Sequence, residues 1–255
     1  MRFASLGSGS EGNALLVEVG ATRVLIDCGF TLRDTIARLE RLGIAPENVT
    51  AIIVTHEHSD HIAGVAPFAA RFGTAVWLTF GTLATMGERF ADLPHVYGFD
   101  SHEVFAIGDV EVHPFPVPHD AREPVQFVCS DGQWRLGVLT DLGVSTAYVE
   151  SSLSGCDALV LECNHDIDML ANGEYPFSLK QRIAGKFGHL DNGAAAGLLA
   201  RLDNSHLKHL IAAHLSQHNN LPGLARGALA TALNCEPEWI GIADQHLGFG
   251  WREFI

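Results

Sequence analysis

Hydrophobic positions along the chain fall into two rhythms, short continuous apolar runs and stretches in which apolar residues return every third or fourth position. RFASLG and NALLVEVG flank the turn GSGSEGN and, with RVLIDCG, which stops at Gly29, predict three strands. LRDTIARLERLG then places Leu32, Ile36, Leu39 and Leu42 on one helical face, with Gly43 as the stop. VTAIIVT reads as a strand buried on both faces, IAGVAPFAARFG as a helix despite Pro67, and AVWLT as the next strand. Further strands are predicted at GDVEVHPFPVPH, VQFVCSDG, WRLGVLTDLG, DALVLECN, LKHLIAAHLS and EWIGIAD. Further helices are predicted at STAYVESSL, SLKQRIAGKFG, DNGAAAGLLARL and LPGLARGALATAL. Grouped strands punctuated by amphipathic helices predict an α/β fold of two sheets with helices on their outer faces. No Pro-, Ser- or Gly-rich linker divides the chain, so one domain over 1–255 is expected, built of two similar halves at about 1–119 and 120–255.

Composition narrows the setting. A 255-residue chain that is 47% hydrophobic can fill a substantial core. No window approaches the roughly 18 uninterrupted apolar residues of a membrane span, and no signal-peptide pattern opens the chain, so a soluble cytoplasmic protein is expected, without a membrane partner. The five cysteines are scattered and form no C-x-x-C pair, which predicts free thiols in a reducing compartment. A formal net charge of −14 excludes a surface that grips nucleic acid everywhere. A polyanion would need a local cationic site, supplied by metal ions or by Lys180, Arg182 and Lys186 in SLKQRIAGKFGH. The same basic segment also reads as the solvated face of an amphipathic helix.

Chemistry collects where apolar strands end. AIIVT delivers His56, LGVLT delivers Asp141, HLIAA delivers His214, and ALVLE ends in Glu162, with Asn164, His165 and Asp166 close behind. Such carboxyl ends are where open sheets build sites. In THEHSDHIAG, His56 and His58 lie two apart in a turn and can face one way, while Asp60 and His61 open the next helix and can face another. That arrangement suits two adjacent divalent ions, and imidazoles with a carboxylate match zinc, manganese or iron. The Gly/Ser loop SLGSGSEGN offers Ser8, Ser10 and Asn13 as hydrogen-bond partners for phosphate.

THEHSDHIAG matches the H-x-H-x-D-H signature, and with LIDCG, PVPHD, LTDLG and AAHLS it resembles the metallo-β-lactamase superfamily over nearly the whole chain. The resemblance implies a four-layered αβ/βα sandwich. It implies one ion on His56, His58 and His119, a second on Asp60, His61 and His214, Asp141 bridging them, and Asp27 beneath, orienting ligands. VLECNHD and GHLDN resemble the paired Glu and His of phosphodiesterases related to ribonuclease Z, here Glu162 and His189. Together with SLGSGSEGN, YPFSLKQRI and HLSQHNN they are similar to the YycJ family, also called WalJ, without a β-CASP insert. That likeness implies 5′ to 3′ exonuclease activity on nucleic acid, DNA rather than RNA, by a hydroxide shared between two ions. Asp60 would orient the water, and His189, held by Glu162, would assist the leaving group. His165, Lys180, Arg182 and Lys186 would contact substrate. A small phosphodiester, a cyclic phosphate or a (thio)ester is the alternative substrate. Asp191 stands where a Ser is expected in such relatives and adds negative charge near the path of a polyanion. His95, His102, His113, His206, His209 and His246 show no ligand pattern, and His218 is borderline.

Overall fold

Burial with a period of two inside each strand generates the layers. Leu15 and Val17 of β2 (Ala14–Val19) turn to one side and Leu16 to the other, and Ala51 and Ile53 of β4 (Ala51–Ile53) oppose Ile52 in the same way. The computed structural model describes residues 1–254. One seven-stranded sheet contains β1 (Arg2–Gly7), β2, β3 (Thr22–Ile26), β4, β5 (Ala75–Thr79), β6 (Val96–Phe99) and the late strand β14 (Phe249–Glu253), in the order β14-β1-β2-β3-β4-β5-β6. The other contains β7 (Phe105–Ile107), β8 (Val110–Pro116), β9 (Val125–Ser130), β10 (Arg135–Leu139), β11 (Ala158–Glu162), β12 (His209–Ala213) and β13 (Gly241–Ile242), in the order β13-β12-β11-β10-β9-β8-β7.

Each sheet is antiparallel on one side and parallel on the other, with the change at β3 and at β10. Parallel neighbours need crossovers, and helices supply them. These are α1 (Leu32–Arg41), α2 (Ser59–Ile62), α3 (Val65–Phe72) and α4 (Phe80–Phe90) on the first sheet. On the second they are α5 (Ala147–Leu153), α6 (Ile167–Asn172), α7 (Phe177–Ile183), α8 (Asn192–Leu199) and α9 (Pro222–Leu233). Between the sheets, Phe3, Val17, Val24 and Ile53 meet Val112, Phe127, Val160 and Ile211. Outside them, Leu39, Val65 and Phe68 cover one sheet, and Val149, Leu198 and Leu229 cover the other. The result is a four-layered αβ/βα sandwich. Among the described residues, no helix is long and apolar enough to cross a membrane.

The architecture corrects several expectations. The second sheet begins before residue 119, since β7 and β8 already belong to it, and β14 returns to the first, pairing Arg2 with Glu253 and Phe3 with Arg252. The helix expected across IAGVAPFAARFG forms over Val65–Phe72 as α3, with α2 a separate short helix before it. The chain breaks at Gly64, whose N–H donates to the Cys28 carbonyl at 2.8 Å and where a Cβ would lie 2.0 Å from the Phe30 carbonyl. Pro67 falls in the first turn of α3, where its missing N–H costs nothing. EWIGIAD is a strand only at Gly241–Ile242, and the helix expected across SLKQRIAGKFG closes at Ile183.

Candidate metal centre

The parallel strands of both sheets deliver their carboxyl ends to one cleft. Three residues there, Asp27 after β3, Asp141 after β10 and His214 after β12, adopt left-handed backbone with φ of 61°, 54° and 54°. Non-glycine residues adopt that region uncommonly, Asp and His more often than most, and a cluster of such outliers marks functional sites.

The imidazoles are oriented from behind. Thr55 Oγ1 sends its proton to Asp27 Oδ2 (2.8 Å), so Thr55 Oγ1 itself accepts from His56 Nδ1 (2.9 Å). Asp27 also accepts from the Thr55 N–H (2.8 Å) and from His61 Nδ1 (2.8 Å). His119 Nδ1 meets the Gly188 carbonyl at 3.1 Å, His214 Nδ1 meets Glu162 Oε1 at 3.2 Å, and His58 Nε2 meets the Asp120 carbonyl at 3.2 Å. Tying one nitrogen of each ring to an acceptor assigns its proton there and leaves a lone pair on the other. The remaining nitrogens converge.

His58 Nδ1 and His119 Nε2 lie 3.2 Å apart. His61 Nε2 is 3.1 Å from Asp141 Oδ2 and 3.4 Å from Asp60 Oδ2, and His214 Nε2 is 3.6 Å from Asp60 Oδ2 and 3.7 Å from Asp141 Oδ1. Two lone pairs facing each other at 3.2 Å repel unless a cation or a proton sits between them. The Nε2 atoms of His56 and His214 are buried with no hydrogen-bond partner among the described residues. Orphaned buried acceptors are costly, so the donor set fits divalent cations. His56, His58 and His119 could hold one, Asp60, His61 and His214 another, and Asp141 shares a group with His56 and His61.

The electrostatics reflect the same crowding. Burial opposes charge on His61, yet the carboxylates of Asp141, Asp60 and Asp27 raise its pKa well above the ordinary value. His214 is lifted to about 10 against burial, chiefly by Asp141. Burial, with the His61 charge nearby, pushes His56 well below the usual imidazole range. Glu162 is fully buried, but its neighbour His189 outweighs that penalty and lowers it to about 2. Its Oε1 meets His189 Nδ1 at 2.8 Å, and its Oε2 accepts from the N–H groups of Leu142 and Leu190 at 2.8 and 3.1 Å.

A family model described as a β-lactamase superfamily domain matches residues 22–214. The chain is 34% identical over 246 residues to the exodeoxyribonuclease YycJ of Bacillus anthracis, covering 96% of this chain and 92% of that protein. The chain belongs to the metallo-β-lactamase superfamily, with YycJ. It is also 31% identical over 249 residues to the exodeoxyribonuclease WalJ of Streptococcus pneumoniae, covering 94% of this chain and 91% of that one. The metallo-β-lactamase fold protein YhfI of Bacillus subtilis superposes with a TM-score of 0.78 at 16% identity, over 99% and 98% of the two chains.

Within this YycJ-like site, not every expected residue plays its expected part. Ser8 and Asn13 are both buried, and their polar atoms bond within the protein. Ser8 donates to Asn13 Oδ1 (2.9 Å) and accepts from the His214 N–H (3.0 Å), while Asn13 Nδ2 donates to the Gly9 carbonyl (3.0 Å) and lies 3.2 Å from His61 Nε2. The loop thereby braces His61 and His214. Ser10 is exposed. Lys180 and Arg182 fall on α7, and exposed Lys186 lies in the turn after it. Arg182 pairs with Asp120 at 2.6 Å, beside His58 and His119. His165 is buried, and its Nδ1 has no partner. Asp191 caps α8 by accepting from the Ala194 N–H at 2.9 Å, which ties its charge to a helix end. Thr55 and Asp120 were missed by sequence reasoning, although both adjoin predicted ligands in the chain.

Proposed function

We propose that this metal-dependent hydrolase cuts phosphodiester bonds of DNA from the 5′ end, with two divalent ions, zinc or manganese, held by His56, His58, His119, Asp60, His61, His214 and Asp141. The observation that carries the reading is the 2.8 Å contact between Glu162 and His189 at the rim of the cluster. A cluster of ligands alone serves many ester chemistries. A carboxylate-held imidazole adds a proton donor for an oxygen leaving group, and the 34% identity to an exodeoxyribonuclease supports the polymer substrate.

Bound divalent cations supply Lewis acidity, which lowers the pKa of water and draws off charge from phosphoryl oxygens. Asp60, at the partly exposed mouth, orients the attacking water. The water oxygen bonds to phosphorus, the P–O3′ bond breaks, one water proton passes to solvent, and His189 Nε2 gives a proton to the departing O3′. Glu162 holds Nδ1 throughout and stabilises the imidazolium before transfer. The free cysteines accord with a reducing cytoplasmic setting.

Digestion of 5′-labelled and 3′-labelled DNA by protein loaded with zinc or manganese tests the reading. Release of 5′-terminal nucleotides is expected, with Asp60→Ala lowering the rate at least about a hundredfold. Intact DNA under both metals, or full activity in the variant, refutes it.

A further inference from the structure

Beside the Glu162–His189 pair lies a cavity of about 570 Å³ that the ligand cluster does not use. Its walls are apolar, with Ile167 and Leu170 from α6, Phe177 from α7, and Leu190 and Ala194 at the start of α8. Phe177 is 74% exposed and Ile167 61%, so a bare aromatic ring and an aliphatic side chain stand in water next to the proposed chemistry. The polar groups are few and convergent. His189 closes one end, and His165, 2% exposed, also lines the cavity. The Lys180 ammonium donates to the Ala171 carbonyl at 2.7 Å and has no carboxylate partner among the described residues. Asp191, also on the wall, has a carboxylate oxygen engaged by its helix.

We propose that this cavity seats the nucleoside that departs with the leaving oxygen, its base stacked on Phe177, its O3′ toward His189, and its phosphate facing Lys180. The proposal rests on the phosphodiesterase reading, because His189 protonates the leaving O3′ and the cavity adjoins His189. Whatever fills it is therefore the group that carries that oxygen, the terminal nucleotide. The volume lies within the roughly 300–1,000 Å³ of small-ligand pockets, which suits one nucleotide and not a length of strand. Stacking contributes about 1–3 kcal/mol per base and accepts every base, so this seat gives grip without sequence preference. An acidic chain with three basic residues near its cleft gains affinity here that does not depend on phosphate contacts.

The test is fluorescence quenching of 2-aminopurine deoxyriboside 5′-monophosphate by the metal-loaded protein. Phe177→Ala should weaken binding at least about tenfold and Phe177→Trp should restore it. Because Phe177 is largely exposed, neither change removes core packing. Deoxyribose 5-phosphate, which lacks a base, should compete at least about tenfold more weakly than deoxyadenosine monophosphate. Equal competition, or an unaltered dissociation constant in the alanine variant, overturns the proposal. In parallel, DNA with an abasic 5′-terminal residue should be cut with a KM at least about tenfold higher than intact DNA, and Phe177→Ala should remove that difference. DNA cut equally well with either end defeats the seat and spares the phosphodiesterase reading. Nucleotide binding that depends on Phe177, with no DNA cut, supports the seat and defeats that reading.

Discussion

Thr55 shows how one hydroxyl can set a metal site without touching a metal. Its proton goes to Asp27, so its lone pair must face His56 Nδ1, and that choice exposes the lone pair of His56 Nε2. Replacement by valine keeps the shape and removes the relay, leaving Asp27 short of a donor in a fully buried place. Thr55→Val should weaken metal affinity about 10–100-fold, as loss of ligand-orienting partners does, while Thr55→Ser stays within a few-fold of the parent. Competition with a chromophoric chelator measures both, and equal affinity in the valine variant would sink the argument. The histidines of THEHSDHIAG were legible because four ligand-type side chains crowd into six consecutive positions. The role of Thr55 was not, because it depends on Asp27, 28 residues earlier, arriving beneath it on the neighbouring parallel strand. The left-handed backbone at Asp27, Asp141 and His214 was equally silent in the sequence, since Asp and His adopt that region more readily than most residues but still in a small minority of positions.

At the scale of elements, the antiparallel side of the first sheet is held by a charged clamp. Glu18 on β2 accepts from Arg2 on β1 and Arg23 on β3, both at 2.6 Å, joining three consecutive strands through one carboxylate. Burial works to raise its pKa, but the two guanidinium groups outweigh burial and lower it below 4.5. A carboxyl lowered on folding contributes stability that is complete above its unfolded value and fades as pH falls through its folded one. Glu18→Gln should therefore cost about 0.5–1 kcal/mol at pH 7, a figure that allows for solvent screening, and the cost should shrink as pH drops below 4.5. Parallel thermal melts at pH 7 and pH 3 check it, and a gap equally wide at both pH values would refute it. The strands of this clamp were readable from their apolar alternation. By contrast β6, β7, α4 and α6 went unpredicted, and so did β14, whose segment FGWRE is amphipathic in no single period and becomes a strand only by pairing with β1, more than two hundred residues away.

Across the whole molecule the site lies where the two sheets meet, and each proposed ion takes donors from both. His56 and His58 follow β4 of the first sheet, whereas His119 follows β8 of the second. Asp60 and His61 likewise face His214, which follows β12. The cleft must nevertheless receive a polyanion on a protein of net charge −14. Only Lys180, Arg182 and Lys186 offer cations along the basic segment, and Arg182 is already paired with Asp120. Each phosphate neutralised contributes a slope of about −0.7 for single strands, or −0.9 for duplex, in a plot of log affinity against log salt. Three contacts at most then limit the slope to about −2 to −3, shallow beside proteins that grip many phosphates. Initial rates on 5′-labelled DNA between 50 and 200 mM salt, a range of about fourfold, should accordingly lose no more than roughly 70-fold in kcat/KM, with most of the loss in KM. Lys180→Ala and Lys186→Ala should each flatten the slope by up to about one unit. A slope steeper than about −5 would mean that DNA is held along a broad surface rather than at the cleft, which an acidic exterior and a short basic segment do not permit.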